Sequence, residues 1–291
     1  MLPKNQQSRN IINTAGASRV SQPTGGFVKK LLFSMCLVFG VIAGVLGTPS
    51  RAFAQGDEIQ VYDASLATKG TFNLTWHNNF TPRGIKTPSF PGGITADKSF
   101  NGVTEFAYGV NEWFEAGLYL PLYTIDKDLG FGINGFKLRT LFATPHAEDR
   151  TLAFGLGMEF SYNAKRWDST RITSEIRPII TWHVNPKFDV IVNPIVDTAY
   201  DGFSNLEFVP SMRLAYNPSE VWAVAVETYS DFGQLKGFAP RSEQGHQIYG
   251  VVDHTTKNGF EIEFGAGVGL TDASDRFTLK LIVAKDLFTK K

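Results

Sequence analysis

The chain has 291 residues, and its 28 Lys and Arg are balanced by 28 Asp and Glu. This balance argues against a nucleic-acid partner, which would need a basic surface. The single cysteine, Cys36, excludes intramolecular disulfides and metal sites built from several cysteines.

Residues 1–54 have the pattern of a secretory signal peptide. Two lysines precede an apolar run, Leu31–Gly47, and the tripeptide that ends at Ala54 has the A-x-A form of a signal-peptidase site. We expect cleavage between Ala54 and Gln55. A transmembrane anchor is the alternative, although the run of 17 residues is short for a span. Removing the leader's six basic residues from the 28 leaves 22 against 28 acidic residues, a net charge of −6.

From residue 71 onward, apolar and polar residues alternate with the period of two that is typical of β-strands. A hairpin over 103–124 shows this most clearly, because the pattern holds on both sides of a turn at Asn111-Glu112. Its second arm matches the roughly 9–11 residues that a strand needs to cross a bilayer. Twelve strands are predicted, and the tenth is ambiguous in phase. They lie near residues 71–81, 103–110, 114–124, 136–142, 151–162, 171–184, 188–197, 205–216, 222–227, 247–253, 261–270 and 277–283.

Short turns alternate with generally longer loops between these strands, as they do in outer-membrane barrels. The sequence therefore predicts an all-β, antiparallel transmembrane β-barrel over residues 70–291, after a short periplasmic segment over 55–69. Aromatic residues where strands meet the short turns predict a girdle at the lipid boundary. A soluble sandwich or lipocalin-like barrel is the alternative. The length of the strands and the many charges on their polar faces favour the membrane barrel.

The polar face is predicted to line the lumen, and it carries charges of both signs. A charged pore that selects solutes is one interpretation, and an ion-pair network that fills a narrow lumen is the other, because twelve strands lie between filled and open barrels. The predicted lumen-lining residues are Glu105, Glu115, Lys137, Arg139, Glu159, Arg171, Glu175, Arg177, Glu207, Arg213, Glu227, Glu261, Glu263 and Lys280.

The hairpin AYGVNEWFEAGLYLPLY, Ala107–Tyr123, resembles a recurring unit in a family of proteobacterial outer-membrane barrels named for the MetA pathway of phenol degradation. The segment GLTD, Gly269–Asp272, resembles the one that precedes the last strand in that family. The resemblance implies an outer-membrane, transport-related protein.

No recognisable motif predicts a catalytic, cofactor-binding or metal-binding residue. We expect a channel or facilitator for small solutes, including aromatic compounds, in the outer membrane of a Gram-negative bacterium. Its expected partners are outer-membrane lipid, the barrel-assembly machinery and the solute. A plugged barrel with a binding or structural role is one alternative. An outer-membrane lipid hydrolase is the other. An Asp/His protease-like site could use His183 with Asp189 or Asp197.

Overall fold

The computed structural model describes residue 56, residues 58–128 and residues 130–289. The expected signal peptide over 1–54, and its cleavage point between Ala54 and Gln55, lie outside the described residues. Within the described part of the chain, helix is limited to two short 3-10 turns, Ala147–Asp149 and Phe203–Asn205. None of the described helices is long and apolar enough to cross a membrane.

Most of the described chain forms β-strands. The segments are β1 (Thr71–Arg83), β2 (Phe100–Asn111), β3 (Phe114–Asp126), β4 (Gly130–Ala143), β5 (Leu152–Asn163), β6 (Ile172–Asn185), β7 (Phe188–Asn193), β8 (Val196–Thr198), β9 (Glu207–Phe208), β10 (Ser211–Ser219), β11 (Trp222–Asp231), β12 (Gly245–Thr255), β13 (Phe260–Gly269) and β14 (Phe277–Thr289).

These segments form one closed antiparallel barrel. Apart from β7 with β8 and β9 with β10, segments that follow one another in the chain pair with one another. β14 returns to pair with β1, where Val283 lies opposite Trp76. Both β7 and β8 pair with β6, and they are separated only by Pro194 and the next residue. β9 and β10 are likewise separated by Val209 and Pro210. Proline has no N–H to give to a sheet, so each break interrupts one barrel strand. The barrel therefore has the twelve strands that the sequence predicts.

The two faces of the barrel wall differ as the alternation predicts. On β5, Phe154 and Met158 point outward with 51% and 39% of their surfaces exposed, whereas Glu159 and Ser161 point inward and are buried. This arrangement, with apolar residues outside and charged residues inside, is the reverse of that in a soluble protein. Lipid around the barrel explains the arrangement, because an apolar outer band is what the bilayer requires.

The predicted aromatic girdle lies at the end of the barrel that carries the short turns. The rings of Phe114 and Phe142 are 4.8 Å apart, and those of Phe188 and Tyr216 are 4.9 Å apart. Each pair bridges neighbouring strands, since β3 pairs with β4 and β7 pairs with β10.

The connections at the two ends differ in length. The short-turn end has 112–113, 144–151, 186–187, 220–221 and 256–259, and the other end has 84–99, 127–129, 164–171, 199–206, 232–244 and 270–276. The first long loop is shorter than the gap of 82–102 between the first two predicted strands, because β1 and β2 continue into it. By the outer-membrane pattern we expect the short-turn end to be periplasmic and the longer loops to face outward.

This orientation predicts the labelling of single cysteines in intact cells. Thr87→Cys, in the exposed part of the first long loop, should react with a membrane-impermeant maleimide. Ser219→Cys, at the short-turn end, should react only after the outer membrane is permeabilised. The unsubstituted chain is the control, and the reverse pattern would overturn the orientation.

Candidate functional site

Residues 58–70 lie inside the barrel, and we call them the N-terminal segment. The backbone of Tyr62 exchanges two hydrogen bonds with the side chain of Asn193, its N–H donating over 2.8 Å and its carbonyl accepting over 2.9 Å. The hydroxyl of Thr181 donates to the carbonyl of Asp63 over 2.5 Å. Asn193 and Thr181 are fully buried on the inner wall. The segment is thus held by polar side chains of the lumen.

The segment runs along the lumen from the periplasmic end toward the outer end. At the periplasmic end, Gly70 donates its N–H to the carbonyl of Gly109 over 2.7 Å. Toward the outer end, Asn79 donates to the carbonyl of Gly56 over 3.1 Å. The prediction of a short periplasmic segment over 55–69 is therefore wrong for its described residues. The sequence does not show this placement, because the polar groups that hold the segment come from strands distant in the chain.

Glycine on the inner wall makes room for the segment. A Cβ at Gly109 would lie 2.2 Å from the carbonyl oxygen of Ala67, which is closer than such atoms approach. A second inward glycine serves a side chain instead, because a Cβ at Gly267 would lie 2.4 Å from the ring of Tyr249. The inward glycines therefore allow a lumen of this width to hold both the segment and large side chains.

One ion-pair group centres on Arg139 of β4. Its guanidinium donates to Glu105 and, over 2.6 Å, to Glu115. Nε2 of His77 lies 3.2 Å from Glu105. Glu115 also accepts the backbone N–H of Ala67 in the N-terminal segment over 2.5 Å. All four lumen side chains are buried, so the group neutralises charge that would be costly to bury alone.

Tyr62 joins this group to a second arginine. Its hydroxyl shares a hydrogen bond of 2.6 Å with that of Tyr119, and its ring lies 5.3 Å from the guanidinium of Arg139 and 4.6 Å from that of Arg177. Cations over aromatic faces are stabilised by the ring's electrostatics. Burial, and then the charge of Glu105, raise the pKa of Tyr62 well above its usual range. The phenol therefore stays neutral, and its hydroxyl and ring connect the Arg139 group to Arg177.

Two further ion pairs lie farther along the wall. Arg177 donates twice to Glu175, over 2.5 and 3.1 Å, and once to the carbonyl of Gln60 over 3.1 Å. Lys137 lies 3.3 Å from Glu159. Arg177 therefore links the wall to the N-terminal segment.

The opposite wall carries the largest group, which we call the Lys280 cluster. Nζ of Lys280 lies 2.5 Å from Glu227 and 2.6 Å from Glu263, and it donates to the carbonyl of Ile59 over 3.1 Å. The guanidinium of Arg213 donates to Glu227, to Glu263 over 3.0 Å and to Asp253. Lys280 and Glu227 are almost completely buried.

The structure brings eleven of the fourteen predicted lumen residues into these ion pairs. Arg171 does not point inward: it precedes β6, is exposed, and donates to the hydroxyl of outward-facing Tyr162 over 3.0 Å. Its place in the alternation was misleading, because the strand begins one residue later. Glu261 is exposed near the periplasmic end of β13, and Glu207 lines the outer part of the lumen.

Sequence reasoning missed Asp253 and the inward tyrosines. Asp253 lies on β12, whose phase was ambiguous, and its ladder partners on β11 and β13, Ala223 and Glu263, place it inside. Tyr249 is buried on the same face. The neighbouring strands could have shown that these residues face inward, since residues paired across antiparallel strands lie on the same face of the sheet.

The outer part of the lumen holds a cavity of about 500 Å³, which we call the outer vestibule. Its wall includes strand residues, the outer loops and Glu58 of the N-terminal segment. Asp275, in the last outer loop, accepts the N–H of Ile85 over 2.8 Å, and burial raises its pKa to about 6. This contact ties the first and last outer loops together at the rim.

Two other groups of polar residues could suggest chemistry. Nδ1 of His183 lies 2.6 Å from Asp189, so the structure does form one of the two histidine–acid pairs considered above. Asn217 donates to the other carboxylate oxygen of Asp189. In the described part of the chain, convergent potential metal ligands occur only at His146, Glu148 and Asp149, which are all exposed. Exposed acidic groups of this kind do not by themselves make a metal site.

The burial of the Lys280 cluster predicts a large loss of stability when its cation is removed. Lys280→Met should lower the free energy of unfolding by about 3–5 kcal/mol, because it removes one of the two cations, Lys280 and Arg213, that neutralise the buried carboxylates of the cluster. Urea unfolding of the barrel in lipid vesicles, followed by tryptophan fluorescence, measures the change. Lys257→Met, in an exposed turn, is the matched control and should change stability by less than about 0.5 kcal/mol. Equal effects at the two positions would contradict the structural role of Lys280.

Comparison with known proteins places this barrel among outer-membrane channels by fold. The COG4313 outer membrane channel from Pseudomonas putida F1 is similar over 79% of this chain and 100% of its own, with a TM-score of 0.54 and 12% identity. The NanC porin is similar over 74% of this chain and 100% of its own, with a TM-score of 0.50 and 9% identity. At these identities the likeness concerns the fold alone.

A comparison with curated proteins returned no match. A protein-family model gives a direct assignment, because it matches residues 86–281, which is more than half of the chain. The match confirms the resemblance seen in the hairpin and in the segment before the last strand. The chain belongs to the family described as "Putative MetA-pathway of phenol degradation".

Proposed function

We propose that this protein is an outer-membrane channel for small solutes, located there after removal of the leader over 1–54. The observation that carries the proposal is the lumen itself. Its wall is polar, it contains a cavity of about 500 Å³, and residues 58–70 close the rest of it without becoming part of the sheet. A barrel whose only role was structural would not need an interior of this polarity.

The way in which the N-terminal segment is held supports a passage that can open. Within the described residues its one ladder contact with the barrel is the bridge between Lys69 and Gly109 at the periplasmic end. Its other polar contacts are hydrogen bonds with side chains, such as those of Asn193 and Thr181. Water can replace side-chain hydrogen bonds at modest net cost, whereas a strand of the barrel could not leave without exposing its neighbours to lipid.

The family description associates its members with phenol degradation. Small aromatic compounds are therefore candidate solutes, alongside other polar solutes of similar size. Lipid surrounds the outward apolar face, and the barrel-assembly machinery would insert the chain. No cofactor is part of the proposal, since passive or facilitated passage requires none.

A closed barrel with a binding or structural role is the second candidate. The buried ion pairs around Arg139 and Lys280 favour it, because they brace the lumen across several strands. A lipid hydrolase is less well supported. In the described part of the chain no serine hydroxyl hydrogen-bonds to His183, although a nucleophile within reach of its base is the signature of such a site.

Single-channel recording in planar bilayers tests the channel, with two alanine variants as a matched pair. Gly109→Ala places a Cβ 2.2 Å from the backbone of the N-terminal segment, whereas Gly250→Ala places one where nothing lies within 4 Å. We expect current steps from the unsubstituted protein and from Gly250→Ala. Gly109→Ala should show larger or longer openings, because the segment no longer fits against the wall.

The folded state of each variant is checked by its shift in electrophoretic mobility on heating. Proteins that insert and fold but never conduct, including Gly109→Ala, would exclude the channel and favour the closed barrel. Identical conductance in the two alanine variants would show that the segment does not limit the current.

A further inference from the structure

The inner wall of the outer vestibule carries four carboxylates in one row across neighbouring strands. Glu159 of β5 lies opposite Glu175 of β6, which lies opposite Asp197 of β8, which lies opposite Glu207 of β9. Like charges that face each other directly across a sheet destabilise it. Such a row therefore requires cations close by.

The cations of the barrel wall neutralise only one half of the row. Lys137 pairs with Glu159 at 3.3 Å, and Arg177 pairs with Glu175 at 2.5 Å. In the described part of the chain, no salt bridge reaches Asp197 or Glu207, and Oδ1 of Asp197 is buried without a hydrogen-bond partner. In the described residues the second half of the row therefore lines the cavity without a salt-bridge partner.

A carboxylate from a different element faces the same cavity. Glu58, on the N-terminal segment, lines the vestibule, and both of its carboxylate oxygens are buried without a hydrogen-bond partner among the described residues. A buried carboxylate without a partner is costly, so a bound group that supplies donors would stabilise it. This observation is independent of the row, because the segment is not part of the sheet.

The charge and shape of the vestibule define the class of ligand. Nine acidic and two basic side chains line its cavity of about 500 Å³. A cleft lined by one sign of charge within walls of low dielectric concentrates ligands of the opposite sign. In the described residues, three possible ligand atoms converge only at the exposed group around His146, so the vestibule carboxylates do not converge on one metal ion. From Glu175 to Glu207 the row spans two strand spacings, about 10 Å.

We propose that the outer vestibule binds extended organic cations with two or more ammonium groups, the diamines and polyamines. Their separated charges would lie along Asp197 and Glu207 and reach Glu58 across the cavity, each ammonium donating to carboxylate oxygens. The proposal deepens the proposed channel function, because it names a class of solute that the outer half of the lumen selects.

Calorimetric titration of spermidine into the folded full-length mature protein in detergent tests the site without requiring current. The test variant is Asp197→Asn with Glu207→Gln, which should bind spermidine about tenfold more weakly than the unsubstituted protein. The control is Asp128→Asn with Asp272→Asn. It removes the same charge from the same end of the barrel, at carboxylates that are 69% and 85% exposed, and should leave the affinity unchanged.

Glu58→Gln is a second test variant, at a residue outside the sheet. If the double variant fails to fold, Glu58→Gln still tests the site. It should also weaken binding. Absence of saturable binding by the unsubstituted protein would overturn the site, and so would equal weakening in the control. Magnesium chloride that binds with the affinity of spermidine would overturn the ligand class, because it would indicate a general attraction for cations.

The two proposals fail separately. Current steps with no spermidine binding would leave the channel in place and remove the site. Saturable binding that depends on Asp197 and Glu207, in a protein that never conducts, would retain the site and remove the channel.

Discussion

The structure depends on one constraint: no edge of the sheet is left open. In lipid, an unpaired backbone N–H or carbonyl has no water to bond with, so only a closed ring of strands satisfies every group. The pairing of β14 with β1 meets this requirement by closing the ring. Once the ring is closed, strict alternation assigns each residue to lipid or to the lumen. The breaks at Pro194 and Pro210 are tolerated because the short segments beyond them still pair with β6 and with each other.

Closure also determines what the lumen must contain. Twelve strands enclose a space too wide for side chains alone to fill in the manner of an eight-stranded barrel. The charged residues that line it are therefore paired across strands, as with Arg213, and the remaining space holds the N-terminal segment. Backbone carbonyls of that segment accept from Arg177 and Lys280. The same residues thus neutralise the wall and hold the chain inside it.

The fold could be predicted from the sequence because it rests on a local signal. Alternation is visible within most single strands, and in the hairpin of β2 and β3 it holds on both sides of the turn. The errors lie where the signal is not local. Arg171 continues the alternation of β6 and yet lies before the strand, so its side chain turns outward to Tyr162. Asp253 could be placed on the inner face only from the phase of the adjacent strands, β11 and β13.

The placement of the N-terminal segment was beyond sequence reasoning for a related reason. Tyr62 has no periodic pattern around it, and its partners, Asn193 and Tyr119, are brought together only when the barrel closes. A short polar stretch before the first strand is equally compatible with a periplasmic tail. The glycines on the inner face were the nearest indication in the sequence that a chain segment lies in the lumen. Gly109 has to lack a side chain because the backbone of the N-terminal segment lies against it.

The segment contributes to the charge of the lumen as well as to its width. It brings Glu58 to the vestibule, and it supplies the carbonyl oxygens and the Tyr62 ring that surround Arg139, Arg177 and Lys280. With the segment in place, Arg139 and Lys280 are covered and the carboxylates of the outer row face the cavity. Withdrawal of the segment would remove a negative charge and uncover positive ones in the same step. The width of the passage and the preference for cations proposed for the outer vestibule would therefore be linked through a single element of the chain.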